Sequence, residues 1–150
     1  MIILSKLADY GVIIATHLAA HADRQLTAAA LAEETLLPRA TVAKILKALA
    51  HSGLVTATRG AAGGYRLARR ATAISVAEVV AAIDGDIGLT QCSVHVAECV
   101  RTDYCPTRPH WAAINRAVAQ ALAAVSLDAM LTPAAFVPRR PAANVHAATN

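Results

Sequence analysis

Cysteine and aromatic residues are scarce in this sequence. Three of its 150 residues are cysteine and only 3% are aromatic, whereas 56% are apolar and many of these are alanine. This composition suits small, closely packed helices better than a broad exposed sheet, so we expect a mainly α fold. An odd number of cysteines argues against a disulfide framework. It leaves metal binding, redox chemistry or plain packing as the role of the thiols.

Long apolar runs and enzymatic motifs are also missing. No stretch approaches the roughly 20 apolar residues that cross a bilayer, and the first residues, MIILSKLADYG, lack a basic region followed by a cleavage site. We therefore expect a cytoplasmic protein. The sequence offers no nucleophile–base set, and its GAAGG segment follows a strand pattern without preceding a helix, so it is not a dinucleotide-binding motif. We do not expect an enzyme.

Acidic residues are sparse in the first half of the chain. Residues 1–70 contain nine Lys or Arg and four Asp or Glu, whereas residues 71–150 contain five and six. The length fits a single compact domain. The net positive charge therefore belongs to the first half, as expected of a segment that binds a polyanion.

The spacing of apolar residues predicts a winged helix-turn-helix. Helices are expected at 5–21, 27–34, 38–51 and 75–84, and a hairpin is expected from strands 54–58 and 65–68 around turn 59–64. Ser5, Thr27 and Ser75 are the predicted N-caps, Glu78 completes a capping box, and Pro38 is the predicted first residue of the third helix. Three helices followed by a hairpin is the element order of this DNA-binding fold.

The third helix is predicted to enter the major groove of double-stranded DNA. Arg39 and Thr41 lie in its first turn, where base edges are reached, and Lys44 and Lys47 lie farther along for phosphates. Each residue alone is more simply part of a solvated face. Together, and in this order of elements, they favour DNA binding.

The hairpin is predicted to be the wing. Gly60 permits its tight turn, Arg59 is long enough to enter a minor groove, and Arg66 can neutralise a phosphate. A single small DNA-binding domain recognises its site with little specificity, whereas two recognition helices that lie one DNA turn apart can bind both halves of a palindrome. We therefore expect a homodimer on a palindromic operator.

A further apolar seam predicts the element that pairs the two subunits. Trp111, Ile114, Val118, Ala121 and Val125 are spaced three and four apart, which is typical of a helix packed along a partner. This long C-terminal dimerisation helix is expected at 110–126. The predicted organisation is a winged helix-turn-helix domain at 1–84, a cysteine loop at 85–106, a dimerisation-helix region at 107–131 and a disordered tail at 132–150.

The three cysteines, Cys92, Cys99 and Cys105, all lie in the aperiodic loop. Loops of this length inside compact domains are commonly functional, and thiolates suit iron–sulfur clusters, zinc or copper(I). Zinc sites favour cysteines two to four residues apart, whereas six and five residues separate these, so the spacing favours an iron–sulfur cluster. A fourth ligand is then needed, from His95, His110, an acidic side chain or another subunit. Buried inert cysteines and a reversible, iron-free disulfide are the alternatives.

Two histidines on the first predicted helix form a second possible metal site. His17 and His21 are four residues apart, which places both on one face of a helix. The sequence shows no third ligand close to them. We therefore interpret them as a helix-surface pair.

Extended segments of this sequence resemble a known family. The stretch LAEETLLPRATVAKILKALAHSGLVTATRGAAGGYRLAR, followed by ISVAEVVAAIDG, resembles the IscR/NsrR family of iron–sulfur transcription regulators, and CPTRPHWAAINRAV is most similar to its SUF-system branch. The resemblance covers residues 1–130. It implies a homodimeric winged-helix regulator, commonly a repressor, of cluster-assembly or stress genes. It also implies a cluster, [2Fe–2S] in preference to [4Fe–4S], on Cys92, Cys99 and Cys105.

The fourth ligand varies within that family. Some members have a histidine three residues after the last cysteine, where this chain has Arg108, and its nearest histidine is His110. Other members use an acidic residue near the N-terminus of the opposite subunit, and Asp9 occupies the matching position. The resemblance therefore places Asp9 ahead of His110.

Overall fold

The computed structural model describes residues 4–90, 101 and 104–132. Its elements in chain order are α1 (Lys6–Ala20), α2 (Ala28–Thr35), α3 (Arg39–His51), β1 (Val55–Thr58), β2 (Gly64–Leu67), a 3₁₀ turn (Ala71–Ala73), α4 (Val76–Asp84), α5 (Arg108–Ala123) and α6 (Leu127–Leu131). The predicted mainly α fold with a two-stranded antiparallel wing is confirmed. None of the helices in these ranges is long and apolar enough to span a membrane.

The predicted helix starts follow from side chains that accept otherwise unpaired backbone N–H groups. Ser5 caps α1, Thr27 caps α2, and Ser75 caps α4, where Glu78 completes the capping box as predicted. Two helix starts were predicted wrongly, because the C-terminal helix begins at Arg108 instead of residue 110 and Pro38 is not helical. Its ψ of 133° is extended, so Pro38 precedes α3 as the N-cap residue and the helix begins at Arg39.

One apolar core joins α1, α2, α3, α4 and the base of the wing. It is built mainly from aliphatic side chains that are less than 2% exposed, of which the largest are Ile14, Leu18, Leu26, Leu31, Ile45, Leu46, Leu49, Ile74 and Leu127. Each such side chain contributes roughly 1.5–3 kcal/mol by leaving water. The wing pairs Val55 with Leu67 and Thr58 with Gly64, so its base lies on this core and its turn extends away from it.

The C-terminal helix ends earlier than its apolar seam predicted. The helix α5 ends at Ala123, and Val125 is outside it because the Val125 carbonyl accepts a hydrogen bond from the N–H of Val76 at 2.9 Å. A short helix that the sequence analysis missed, α6, follows with Ser126 as its N-cap. Its first residue, Leu127, is fully buried, and α6 packs on α1. The end of the described chain therefore returns to the core.

Candidate nucleic-acid interface and metal centre

The helix α3 has one buried and one exposed face. Val42, Ile45, Leu46 and Leu49 are buried, which fixes how the helix is rotated on the core. The predicted DNA-contacting residues lie on the remaining surface: Arg39, Lys44 and Lys47 are exposed, and Thr41 is half-buried. The structure thus brings the three cations to one accessible face of a rigid helix.

The cations of α3 and of the wing have no partners in the part of the chain that the structure describes. Within residues 4–90, 101 and 104–132, no ion pair or side-chain hydrogen bond engages any of five residues, which are Arg39, Lys44, Lys47, Arg59 and Arg66. Two other arginines are neutralised, because Arg24 lies 3.4 Å from Glu34 and Arg69 lies 2.7 Å from Glu78. Five cations without an ion pair among the described residues therefore lie on α3 and the wing, which makes this surface attractive to a polyanion.

The glycines of the wing are needed to fold it against the chain itself. Gly60 has a φ of +114°, and its carbonyl accepts a hydrogen bond from the N–H of Gly63 at 3.0 Å. A Cβ on Gly63 would overlap the carbonyl oxygen of Thr58, and one on Gly64 would lie 2.9 Å from the carbonyl carbon of Leu26. Arg59 and Arg66 remain exposed beside this compact turn.

Cys105 is the cysteine that lies within the described residues, whereas Cys92 and Cys99 lie outside them. It is half-buried, two residues before the N-cap of α5, and its Sγ lies 3.3 Å from Oγ1 of Thr107. The pKa of the Cys105 thiol is lowered mainly by a hydrogen bond from the side chain of Thr107 and next by one from its backbone. The backbone N–H of Arg108 and the positive charge of Arg101 make smaller contributions. Such surroundings favour the thiolate, which is the form that binds metals.

The two candidates for the fourth ligand lie on different elements. Asp9 is exposed in the first turn of α1 and lines an open groove together with Ile13, Thr16 and, from α6, Met130. His110 is exposed in the first turn of α5. No hydrogen bond or ion pair among the described residues joins either of them to Cys105.

Asn115 positions the start of the cysteine loop. The sequence analysis did not predict this role for Asn115. Its Oδ1 accepts a hydrogen bond from the N–H of Leu89 at 3.1 Å, and its Nδ2 donates one to the carbonyl oxygen of Ile87 at 2.7 Å. The loop is therefore attached to α5 near its first residues, as it is at Cys105. The signal in the sequence that could have indicated this role is the polar amide of Asn115, which lies between Ile114 and Val118 of the apolar seam.

A helix-turn-helix with an exposed cationic third helix and a basic hairpin defines a winged-helix DNA-binding protein. Residues 4–133 match the Rrf2 family, described as an iron-dependent transcriptional regulator. The chain belongs to the Rrf2 family of transcriptional regulators, which confirms the relationship inferred from the sequence.

Individual relatives agree with this assignment. The HTH-type transcriptional regulator IscR of Xenorhabdus nematophila is 33% identical over 88 residues, which cover 59% of this chain and 53% of that protein. The matched chain thus spans about half the length of this curated relative.

Two solved structures are similar to the fold described above. T. potens IscR has a TM-score of 0.68 and 25% identity, with 87% of this chain and 86% of that one covered. CymR, described as the global cysteine regulator of B. subtilis, has a TM-score of 0.69 and 23% identity, with 87% and 97% covered. The second likeness concerns the fold alone.

Proposed function

We propose that this protein is a homodimeric transcription regulator that binds a palindromic operator through α3 and the wing. The observation that carries the proposal is the set of five cations on those two elements that have no ion pair among the described residues, whereas Arg24 and Arg69 are paired. Arg39 and Thr41 would contact base edges, Lys44 and Lys47 phosphates. Arg59 would reach the minor groove, beside Gly60 and Arg66.

Dimerisation is proposed to use α5. Among the described residues, none of its side chains is buried, and Trp111 and Ile114 are 38% and 45% exposed. Large apolar side chains that are aligned on one face of a helix are removed from water when they pack against an equivalent face of a second helix, which stabilises the pair. The same proposal divides the chain into a DNA-binding unit at 1–84, a cysteine loop at 85–106, a dimerisation region at 107–131 and a tail at 132–150.

The cysteine loop is proposed to hold an iron–sulfur cluster, [2Fe–2S] in preference to [4Fe–4S]. Cys105 fits this role because its lowered pKa favours a thiolate and its side chain is accessible. Cys92 and Cys99 would supply the other thiolates. Asp9 of the partner subunit, ahead of His110, would supply the fourth ligand. When bound, the cluster supplies a redox-active group that oxidants or nitric oxide alter.

A path of packed elements connects the loop to the DNA-binding surface. The loop is attached to α5 through Asn115 and Cys105, α5 packs on α4, and α4 packs on both α1 and α3. Different arrangements of the loop would therefore change how the two recognition helices are spaced. A ligand shifts such an equilibrium only by its difference in affinity for the two arrangements.

Anaerobic purification tests the cluster and its regulatory role together. We expect coloured protein with iron and sulfide in equal amounts, and different affinities of the holo and apo forms for genomic DNA fragments that the protein selects. Replacing Cys92, Cys99 and Cys105 with serine should abolish colour and this difference, whereas Ser93→Ala should retain both. Equal affinity of the two forms for every fragment would contradict the regulatory role.

The fourth ligand is tested by two further variants. Asp9→Asn should change the absorbance spectrum of the reconstituted protein and accelerate loss of iron, because one ligand loses its charge. His110→Ala should do neither. The reverse result would assign the position to His110 and would contradict the contribution of Asp9.

A cluster-free thiol sensor is the second candidate function. It is favoured by the fold shared with CymR, described as a cysteine regulator, and by the activated thiol of Cys105. In that case, anaerobically purified protein would be colourless, and mass spectrometry after peroxide treatment would find a disulfide between two of the three cysteines.

A further inference from the structure

The fold supplies the third ligand that His17 and His21 lacked in the sequence. Both histidines lie at the C-terminal end of α1, and Glu34 reaches them from the last turn of α2, with its Oε2 2.7 Å from Nε2 of His17. One ligand atom from each of the three side chains lies within 4.8 Å of the other two. The interpretation of an isolated helix-surface pair was therefore incomplete.

The hydrogen bonding of His21 prepares its ring for a metal. Nδ1 of His21 lies 2.9 Å from the backbone carbonyl oxygen of His17. A carbonyl only accepts hydrogen bonds, so Nδ1 carries a proton, and in the neutral tautomer this leaves the lone pair on Nε2. Histidines that bind metals typically have their other ring N–H fixed in this way by a carbonyl or carboxylate.

We propose that His17, His21 and Glu34 form a binding site for a divalent transition-metal ion, of which zinc is the best fit. Two imidazole nitrogens and one carboxylate are the ligand set of open zinc sites, with water as the fourth ligand. Tetrahedral bonds of about 2.0–2.2 Å place ligand atoms roughly 3.3–3.6 Å apart. That separation lies between the 2.7 Å contact and the 4.8 Å limit of the cluster.

The neighbouring charge opposes the ion only moderately. Arg24 Nη2 lies 3.4 Å from both carboxylate oxygens of Glu34, but the arginine side chain is 49% exposed and can rotate into solvent. An ion here would join the end of α1 to the end of α2. Since α2 is the first helix of the helix-turn-helix, the ion would fix this motif to α1. These three ligands are different residues from those proposed for the cluster, although His17 and Glu34 line the same groove as Asp9.

Cobalt(II) and zinc(II) are the probes that test the site. The full-length chain with all three cysteines replaced by serine removes competing thiolates, and cobalt(II) then reports its ligands by visible absorbance. We expect one ion per chain and a zinc-induced rise in Tm. In this background, His21→Ala and Glu34→Gln should each weaken binding about tenfold or more.

Matched substitutions outside the cluster are the controls. His51→Ala removes an exposed histidine from the end of α3, and Glu33→Gln neutralises the exposed neighbour of Glu34. Both should bind cobalt(II) like their parent, and circular dichroism should confirm that every variant is folded. The proposal is overturned if the parent binds no cobalt(II), or if the cluster variants and the controls bind it equally well.

Discussion

Leu26 and Tyr65 exchange both of their backbone hydrogen bonds. The N–H of Leu26 donates to the carbonyl oxygen of Tyr65 at 3.0 Å, and the N–H of Tyr65 donates to that of Leu26 at 2.8 Å. The bridge joins the residue before the N-cap of α2 to the second strand of the wing. The wing and the helix-turn-helix are therefore fixed to each other by backbone hydrogen bonds that do not involve the side chain of Leu26 or of Tyr65.

Gly64→Ala should destabilise the protein through this bridge. A Cβ at Gly64 would lie 2.9 Å from the carbonyl carbon and oxygen of Leu26. The backbone of Leu26 cannot easily move away because it is hydrogen-bonded to Tyr65. We expect unfolding to require about 1–3 kcal/mol less free energy, measured by urea denaturation. Ala61→Ser, in the exposed turn of the same wing, should stay within about 0.5 kcal/mol of the wild type. If Gly64→Ala were as stable as the wild type, the backbone bridge would be able to move aside for the added Cβ, and the prediction would be wrong.

Lys47→Ala should reduce the salt dependence of DNA binding. A lysine that neutralises one phosphate releases about one counterion, so the slope of log affinity against log salt concentration should fall in magnitude by roughly 1. Fluorescence anisotropy across a salt series measures this slope. Arg116→Ala removes a cation from α5 and should leave it unchanged. An equal effect of both substitutions would mean that only the net charge of the protein matters.

Local signals in the sequence were sufficient for most of the DNA-binding unit. The side chains of Ser5, Thr27 and Ser75 cap their helices because each hydroxyl bonds a backbone N–H three residues ahead, a relationship that sequence spacing expresses directly. The hairpin was predictable from β-favouring runs around glycine for the same reason. Such interactions depend on neighbours in the chain.

Contacts between distant segments were not predictable in this way. Glu34 meets His17 only because α2 folds back along α1, and Asn115 meets Ile87 across 28 positions of the chain. The helix α6 was missed because the apolar seam continued to Val125. Tertiary hydrogen bonds between the segments around Ile74 and Leu127 end that seam.

Asn115→Ala should release the start of the cysteine loop from α5. The substitution removes two hydrogen bonds to the backbone, at Ile87 and Leu89, and each contributes about 0.5–1.5 kcal/mol. Hydrogen–deuterium exchange should become faster at Leu89, and reconstituted protein should lose iron faster. Gln120→Ala, on the exposed surface of the same helix, should alter neither rate. Unchanged exchange at Leu89 would contradict the anchoring role of Asn115.

Protonation of Glu78 should destabilise the protein in acid. The hydrogen bond from Arg69, followed by the backbone N–H of Ser75, lowers the pKa of the Glu78 carboxyl. A lowered pKa means that its stabilising contribution is complete above the unfolded value of about 4.3 and is lost as pH falls through the lower folded value. Because both partners are more than 40% exposed, the contribution should be at most about 1 kcal/mol.

The variant Glu78→Gln isolates that contribution, because glutamine can still complete a capping box. The difference in unfolding free energy between wild type and variant should be largest near neutral pH and should disappear in acid. Chemical denaturation at a series of pH values measures it. In an Arg69→Ala background the difference should shrink, since the largest cause of the shift is gone. A difference that stays constant with pH would contradict the coupling.

Ile114→Asp should separate the proposed dimer into folded monomers. Ile114 is 45% exposed, beside the exposed indole of Trp111, and a carboxylate buried there would lack a partner, which typically costs several kcal/mol. Sedimentation analysis should find a monomer with an unchanged circular dichroism spectrum, because Ile114 is not part of the core that the described residues form. Operator affinity should fall steeply, since one recognition helix alone contacts half of a palindrome.

Gln120→Asp adds the same charge on the side of α5 away from this seam and should remain dimeric. A monomeric wild type, or a dimer that tolerates Ile114→Asp, would place the subunit interface elsewhere.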